Sequence, residues 1–139
     1  KAGDTALIRA AAGGTGALLV QMAKIRGAKV IGTVSTEEKA EIARAAGADE
    51  IIFYTKQDLV AETKRITNGK GVDVVYDVVG GELSEQCLRA MRFDGRFVII
   101  GFTAGIGRVP LNLVFGIAAA WAIGPPRAPA AIESCEAMP

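Results

Sequence analysis

Thr5-Ala6-Leu7-Ile8-Arg9-Ala10 reads as a short strand, and Ala11-Ala12-Gly13-Gly14-Thr15-Gly16 turns it into a helix that opens near Ala17-Leu18-Leu19. Counted from Ala11, the turn fits A-x-G-x-x-G, the dinucleotide-binding pattern G-x-G-x-x-G with alanine at its first position. Each glycine has a physical job. A pyrophosphate can approach a helix N-terminus, where free N–H groups and the helix dipole favour an anion. A side chain at Gly13 would block that approach, and one at Gly16 would push the helix off the strand. A glycine motif alone is weak evidence and also fits a tight turn that binds nothing. Here it follows a strand, opens a helix and lies in the first strand–helix–strand unit, which is the required context. A P-loop is excluded locally, because no Gly-Lys-Ser/Thr follows.

Working outward, the hydrophobic period alternates between strand and helix. Leu18, Leu19, Met22, Ala23 and Ile25 recur at helical spacing, and Gly27 stops that helix. Residues 29–34 form a second strand. Ser35 and Glu38 make an S-x-x-E capping box for a helix carrying Ala40, Ile42, Ala43 and Ala46, which ends at Gly47. Glu50 to Phe53 is a third strand, 57–67 a helix closed by Asn68-Gly69, Val72 to Asp77 a fourth strand, Glu82 to Met91 a helix, and Arg96 to Gly101 a fifth strand. This rhythm predicts an α/β fold, a doubly wound parallel sheet with helices on both faces. The apolar, β-branched strands 72–76 and 97–100 suit burial on both sides. After residue 115 the pattern degrades, and 116–139 reads as an irregular tail of one domain spanning 1–139.

Composition removes several functions. The chain has 139 residues, enough for one domain, and half of them are apolar. Sixteen basic residues against 15 acidic ones leave a formal charge of +1, and nothing in that balance suggests nucleic acid, which favours a strongly basic domain with a clustered basic face. No histidine is present, so histidine acid–base chemistry and histidine-ligated metals are excluded within the chain. Cys87 and Cys135 cannot build a four-cysteine zinc site, and no metal is expected. The longest uncharged stretch, 109–126, is broken by prolines and has an 11-residue apolar core, whereas a spanning helix needs about 20. No membrane segment and a cytoplasmic setting are the expectation. The opening Lys1-Ala2-Gly3-Asp4 lacks a signal-peptide apolar region and suggests a start within a longer protein.

The choice of dinucleotide turns on the end of the second strand. NAD binders place an acid there, about 20 residues after the glycine loop, to hold the ribose 2′-OH. Thr33, Val34, Ser35 and Thr36 occupy the position, and none is acidic. Ser35 offers a hydroxyl, and Lys39 sits in the first helical turn, where a cation opposes the dipole unless an anion binds nearby. The pattern favours NADP over NAD, although Glu37 and Glu38 lie close and a solvated surface lysine is the plain alternative. The missing acid also speaks against a methyltransferase using S-adenosylmethionine.

The loop resembles the Ala-Ala-Gly-Gly-Val-Gly loop of the zinc-free quinone oxidoreductases, members of the medium-chain dehydrogenase/reductase superfamily. Gly3-Asp4-Thr5, Gln21-Met22-Ala23-Lys24, Val34-Ser35-Thr36-Glu37-Glu38-Lys39 and Ala46-Gly47-Ala48-Asp49 fit the same pattern. So do Gly71 to Gly81 and Gly101-Phe102-Thr103-Ala104-Gly105, and the likeness covers about residues 1–115. The resemblance implies a Rossmann cofactor domain that partners a barrel domain. It implies NADPH-dependent reduction of a quinone or enone by direct hydride transfer. It places Gly13, Gly14, Thr15 and Gly16 on the pyrophosphate and Ser35, Lys39 and Tyr54 at the 2′-phosphate end. Val79, Gly80, Phe102 and Thr103 are placed along the ribose and nicotinamide. Substrate-polarising groups belong to the barrel in this family, so no catalytic residue is assigned. The family's next strand pairs across a homodimer, and Gly116 to Gly124, with Trp121, keeps only its apolar character.

Plainer readings stand beside these. Tyr54 fits a packed aromatic, Trp121 a core or interface anchor, and Cys87 a buried inert thiol. Asp77 suits either a ligand contact or a cap for the following turn. Asp73 is unexpected inside an apolar strand unless it lies early and at an edge. A rival to the reductase is an isolated NADP(H)-binding module without turnover.

Overall fold

The computed structural model describes residues 1–107. The elements alternate as β1 (Thr5–Ile8), α1 (Gly14–Ile25), β2 (Lys29–Val34), α2 (Glu37–Ala45), β3 (Glu50–Phe53), α3 (Leu59–Ile66), β4 (Val72–Asp77), α4 (Leu83–Arg89) and β5 (Met91–Ile99). All strand pairs are parallel, in the order β3-β2-β1-β4-β5. The order reverses between β1 and β4, and a crevice opens beyond the strand ends at such a point. The doubly wound α/β sheet expected from the sequence is therefore the fold. The tail 116–139, Trp121 and the Gly116–Gly124 dimer segment lie outside the described residues.

Two cores sandwich the sheet. Val20 of α1 and Ala40 and Ala43 of α2 pack with Ile8, Val30 and Val34 on one face. Leu59 of α3 and Cys87 of α4 pack with Leu7, Ile31, Ile52 and Val75 on the other. Small residues set the spacing. A Cβ on Gly32 would lie 2.8 Å from the Ala11 methyl, so the loop sits directly on β2 only because that residue is glycine.

Four local expectations change. First, α1 buries Gly16 and Val20, while Leu18, Met22 and Ile25 are exposed; of the periodic set, only Leu19 and Ala23 lean on the core. A helix seated on the sheet through Gly16 and Val20 presents too narrow a face to bury every large side chain, and Ile42 of α2 is exposed as well. Second, the cap of α2 is Thr36, whose Oγ1 accepts from the Lys39 amide, and not Ser35. Ser35 therefore keeps its hydroxyl for other partners. Third, β5 begins at Met91, not Arg96, and α4 stops at Arg89. Between Met91 and Arg96 the ladder slips, and Asp94 takes φ +62 to absorb the extra residues. Fourth, Asp73 stands early in β4, but that strand is interior, not at an edge. The Asp73 carboxylate accepts from the Thr5 amide at 2.7 Å and pairs with Arg92, so a buried charge is fully partnered.

Candidate functional site

The packing expected at Gly16 is present. A Cβ on Gly16 would fall 2.1 Å from the Ala10 carbonyl oxygen, a backbone atom that cannot swing aside. Gly16 is thus the point where α1 meets the loop. Gly13 is the helix N-cap and exposed, and it carries no side chain to cap the first turn. The first N–H groups of a helix have no intrahelical partner. Among the four described helices, α1 alone has neither a capping side chain nor an acid in its first turn. Its N-terminal charge is left uncompensated and facing solvent at Gly14 and Thr15.

In front of that terminus lies a cleft of about 360 Å³. Gly13, Ser35, Lys39, Tyr54 and Val79, five of the residues expected from the sequence, line it together. The Lys39 ammonium donates to the Ser35 hydroxyl at 3.1 Å. Lys39 has no carboxylate partner among the described residues, and Glu37, two residues before it, is held by Arg44 at 2.7 Å. Tyr54, a little over a third exposed, follows β3 on the same wall. The plain reading of Tyr54 as a packed aromatic is thereby weakened.

The other expected residues fall elsewhere. Gly14 and Thr15 are exposed at the α1 terminus, and Gly16 is buried beneath the loop. Gly80 is buried in the turn after β4, at φ +73, a conformation that glycine adopts without strain. A Cβ there would lie 2.3 Å from the Gly105 carbonyl, so Gly80 holds the turn against the loop after β5. Phe102 and Thr103 are exposed on that loop and do not line the cleft; their neighbour Ala104 does, with its amide on the Val79 carbonyl at 2.8 Å.

Beneath the cleft is a network of which only Asp77 was foreseen. Asp77 caps the following turn: Oδ1 accepts from the Val79 and Gly80 amides at 3.0 and 2.9 Å, and Oδ2 from the Ser84 hydroxyl at 2.6 Å. Arg9, at the end of β1, donates from Nη1 to Asp77 Oδ1 at 2.8 Å and to the Gly80 carbonyl at 2.6 Å. Burial works to raise the Asp77 carboxyl, but the Ser84 hydroxyl, the two amides and the Arg9 charge outweigh it and hold it below its ordinary value. Cys87 is fully buried, and burial pushes its thiol up to about 12, as an inert core thiol requires. Arg9 escaped the reading of the sequence, although a lone charge ending the apolar run Ala6-Leu7-Ile8 was a visible signal. Ala10, held at φ +48, had none.

Fold, uncapped loop and strand-end cleft together define a Rossmann-type domain. The chain belongs to the zinc-binding dehydrogenase family, whose model matches residues 14–118. It is 48% identical over 114 residues to a 2-haloacrylate reductase from a Burkholderia species, covering 82% of this chain and 34% of that protein. It is also 48% identical over 99 residues to quinone oxidoreductase 1 of Escherichia coli K12, covering 71% of this chain and 30% of the relative. The crystal structure of the Escherichia coli quinone oxidoreductase complexed with NADPH superposes with a TM-score of 0.78 at 42% identity, over 84% of this chain and 36% of that one. The chain thus spans about a third of the length of these relatives.

The family's name carries zinc, but the residues present do not fit it. Histidine is lacking throughout, Cys87 is sealed in the core, and no group of three potential ligands occurs among the described residues. Nor is any described helix long and apolar enough to cross a membrane.

Proposed function

We propose that this chain is the NADP(H)-binding domain of an NADPH-dependent quinone or enone reductase, the remainder of which lies in a second domain. The observation that carries the reading is the Ser35–Lys39 pair on the wall of the cleft, with no carboxylate on the ammonium among the described residues. Two donors on one side and the open α1 terminus on the other suit a ligand with phosphates at two places. Gly13, Gly14 and Thr15 would hold the pyrophosphate through backbone N–H groups. Ser35, Lys39 and Tyr54 would take the 2′-phosphate end. Val79, Gly80, Phe102 and Thr103 would follow the ribose and nicotinamide, and a small-molecule acceptor would meet them from the second domain. Hydride transfer is the chemistry that NADPH supplies when bound. The chain's own part is to bind and orient, so binding without turnover is the behaviour expected of it alone.

Calorimetric titration with NADPH and NADH tests the reading. NADPH is expected to bind at least tenfold more tightly, about 1.4 kcal/mol. Lys39→Ala is expected to remove that margin while leaving NADH binding unchanged. The margin should also shrink as salt is raised, because an exposed ammonium is screened. Binding of neither nucleotide would overturn the proposal, and equal binding of both would overturn its choice of cofactor.

A further inference from the structure

A second, independent feature of the cleft is the arginine in its floor. The Arg9 side chain is only 5% exposed, yet it lines the cleft beside Ala10, Gly13 and Val79. A guanidinium has five N–H donors. Nη1 spends both of its own on Asp77 and Gly80. The three on Nε and Nη2 meet no acceptor among the described residues, and neither nitrogen is among the fully buried atoms left without a partner. Most polar groups of a largely buried side chain are held by protein partners, so free donors on a residue that lines a cleft are available to whatever occupies it. A merely structural cation could have been a lysine, whose three donors cover the two acceptors that Nη1 now serves. A planar fork instead anchors through one nitrogen and presents the others in a fixed direction.

We propose that Arg9 is a cofactor-binding residue, anchored through Nη1 and donating from Nε and Nη2 to an oxygen on the adenosine diphosphate half of the ligand. This rests on the NADP(H) reading of the cleft. The adenosine half follows from the lining: Arg9 shares one cavity with Ser35, Lys39 and Tyr54, whereas of the residues expected along the ribose and nicotinamide only Val79 reaches it, and Gly80, Phe102 and Thr103 do not. The Arg9 charge is already balanced by Asp77, so it acts as an oriented donor more than as a free charge. Its contribution is therefore insensitive to salt, unlike that of Lys39.

The test is titration of the chain and of Arg9→Lys with 2′,5′-ADP and NADPH at low and high salt, together with the Arg9 Nε–H resonance followed by NMR. Arg9→Lys is expected to keep its melting temperature within a few degrees, since an ammonium still serves Asp77 and Gly80. It should weaken both ligands about tenfold at either salt concentration, and 2′,5′-ADP should shift the wild-type Nε–H signal. Unchanged affinity with an unmoved signal would make Arg9 an anchor only and overturn the inference while sparing the cofactor reading. An effect on NADPH but not on 2′,5′-ADP would overturn the assignment to the adenosine half. Failure of the wild type to bind either ligand would overturn the cofactor reading and this inference with it. Should Arg9→Lys not fold, the wild-type resonance decides alone.

Discussion

Asp77→Ala is expected to destabilise the domain by about 3–5 kcal/mol, the range for removing one partner of a buried ion pair. The loss has three parts. The Arg9 guanidinium is left in the floor of the cleft without its counter-ion. The Val79 and Gly80 amides lose their shared acceptor, and the buried Ser84 hydroxyl loses its own. For a chain of this size, that is a fall in melting temperature of about 10 °C or more. Asp77→Asn should recover part of the loss, because a side-chain oxygen can still receive the two amides, but not the part due to the charge. A wild-type melting temperature for Asp77→Ala would show that the turn stands without its cap.

The same carboxylate sets a pH dependence. Its folded pKa lies below the ordinary value, so the unfolded chain takes up the proton first as pH falls. The stabilisation is fully present above the unfolded value of about 3.9 and is lost as pH drops through the folded value. Acid titration of stability should therefore be shallower in Asp77→Asn than in the wild type below about pH 4. Equal slopes would mean that other carboxylates dominate. Asp73, held down against its burial by the Thr5 amide and Arg92, and Asp49, held down against its burial by Lys24 and the Val30 amide, are the competitors and belong in the comparison as Asp73→Asn and Asp49→Asn.

What could be read in the sequence follows what is local in it. The strand–helix rhythm and the loop depend on neighbours in the chain, and both appear where the residues put them. Ser35 and Lys39 are four apart across a helix start, so their meeting was legible too. The misread elements share a different cause. Whether Leu18 and Met22 are buried depends on how close α1 lies to the sheet, which is set by Gly16 and Ala10 rather than by helical period. The early start of β5 depends on pairing between Val72 and Met91, nineteen residues away along the chain. Arg9 was missed because its partners Asp77 and Gly80 lie about seventy residues on and become neighbours only when β4 crosses to pair with β1. The sites legible in the sequence are those that one turn of chain can build.

Gly16 is where the local and long-range parts of the design meet, and its replacement should have the second large effect. The Cβ of Gly16→Ala would sit 2.1 Å from the Ala10 oxygen, 2.8 Å from its carbonyl carbon and 3.0 Å from the Ala11 Cα. All three are backbone atoms, so no rotamer change relieves them. Ala11 cannot retreat, because its methyl already rests on Gly32 and its amide is bonded to the Thr33 carbonyl. The helix must slide off the strand end, which opens the core at Val20 and moves the N-terminus away from the cleft. Overpacking of this kind costs about 1–3 kcal/mol and sometimes more, and Gly16→Val should go beyond the upper end. Gly14→Ala is the control. A Cβ there meets nothing within 4 Å, and alanine is the better helix former. Thermal unfolding followed by circular dichroism should thus show Gly14→Ala at or above the wild type, Gly16→Ala several degrees below, and Gly16→Val without a cooperative transition. Gly16→Ala melting with the wild type would mean that α1 can shift freely against β1. The loop would then be an adaptable turn, and the fixed geometry on which the cofactor reading depends would be lost.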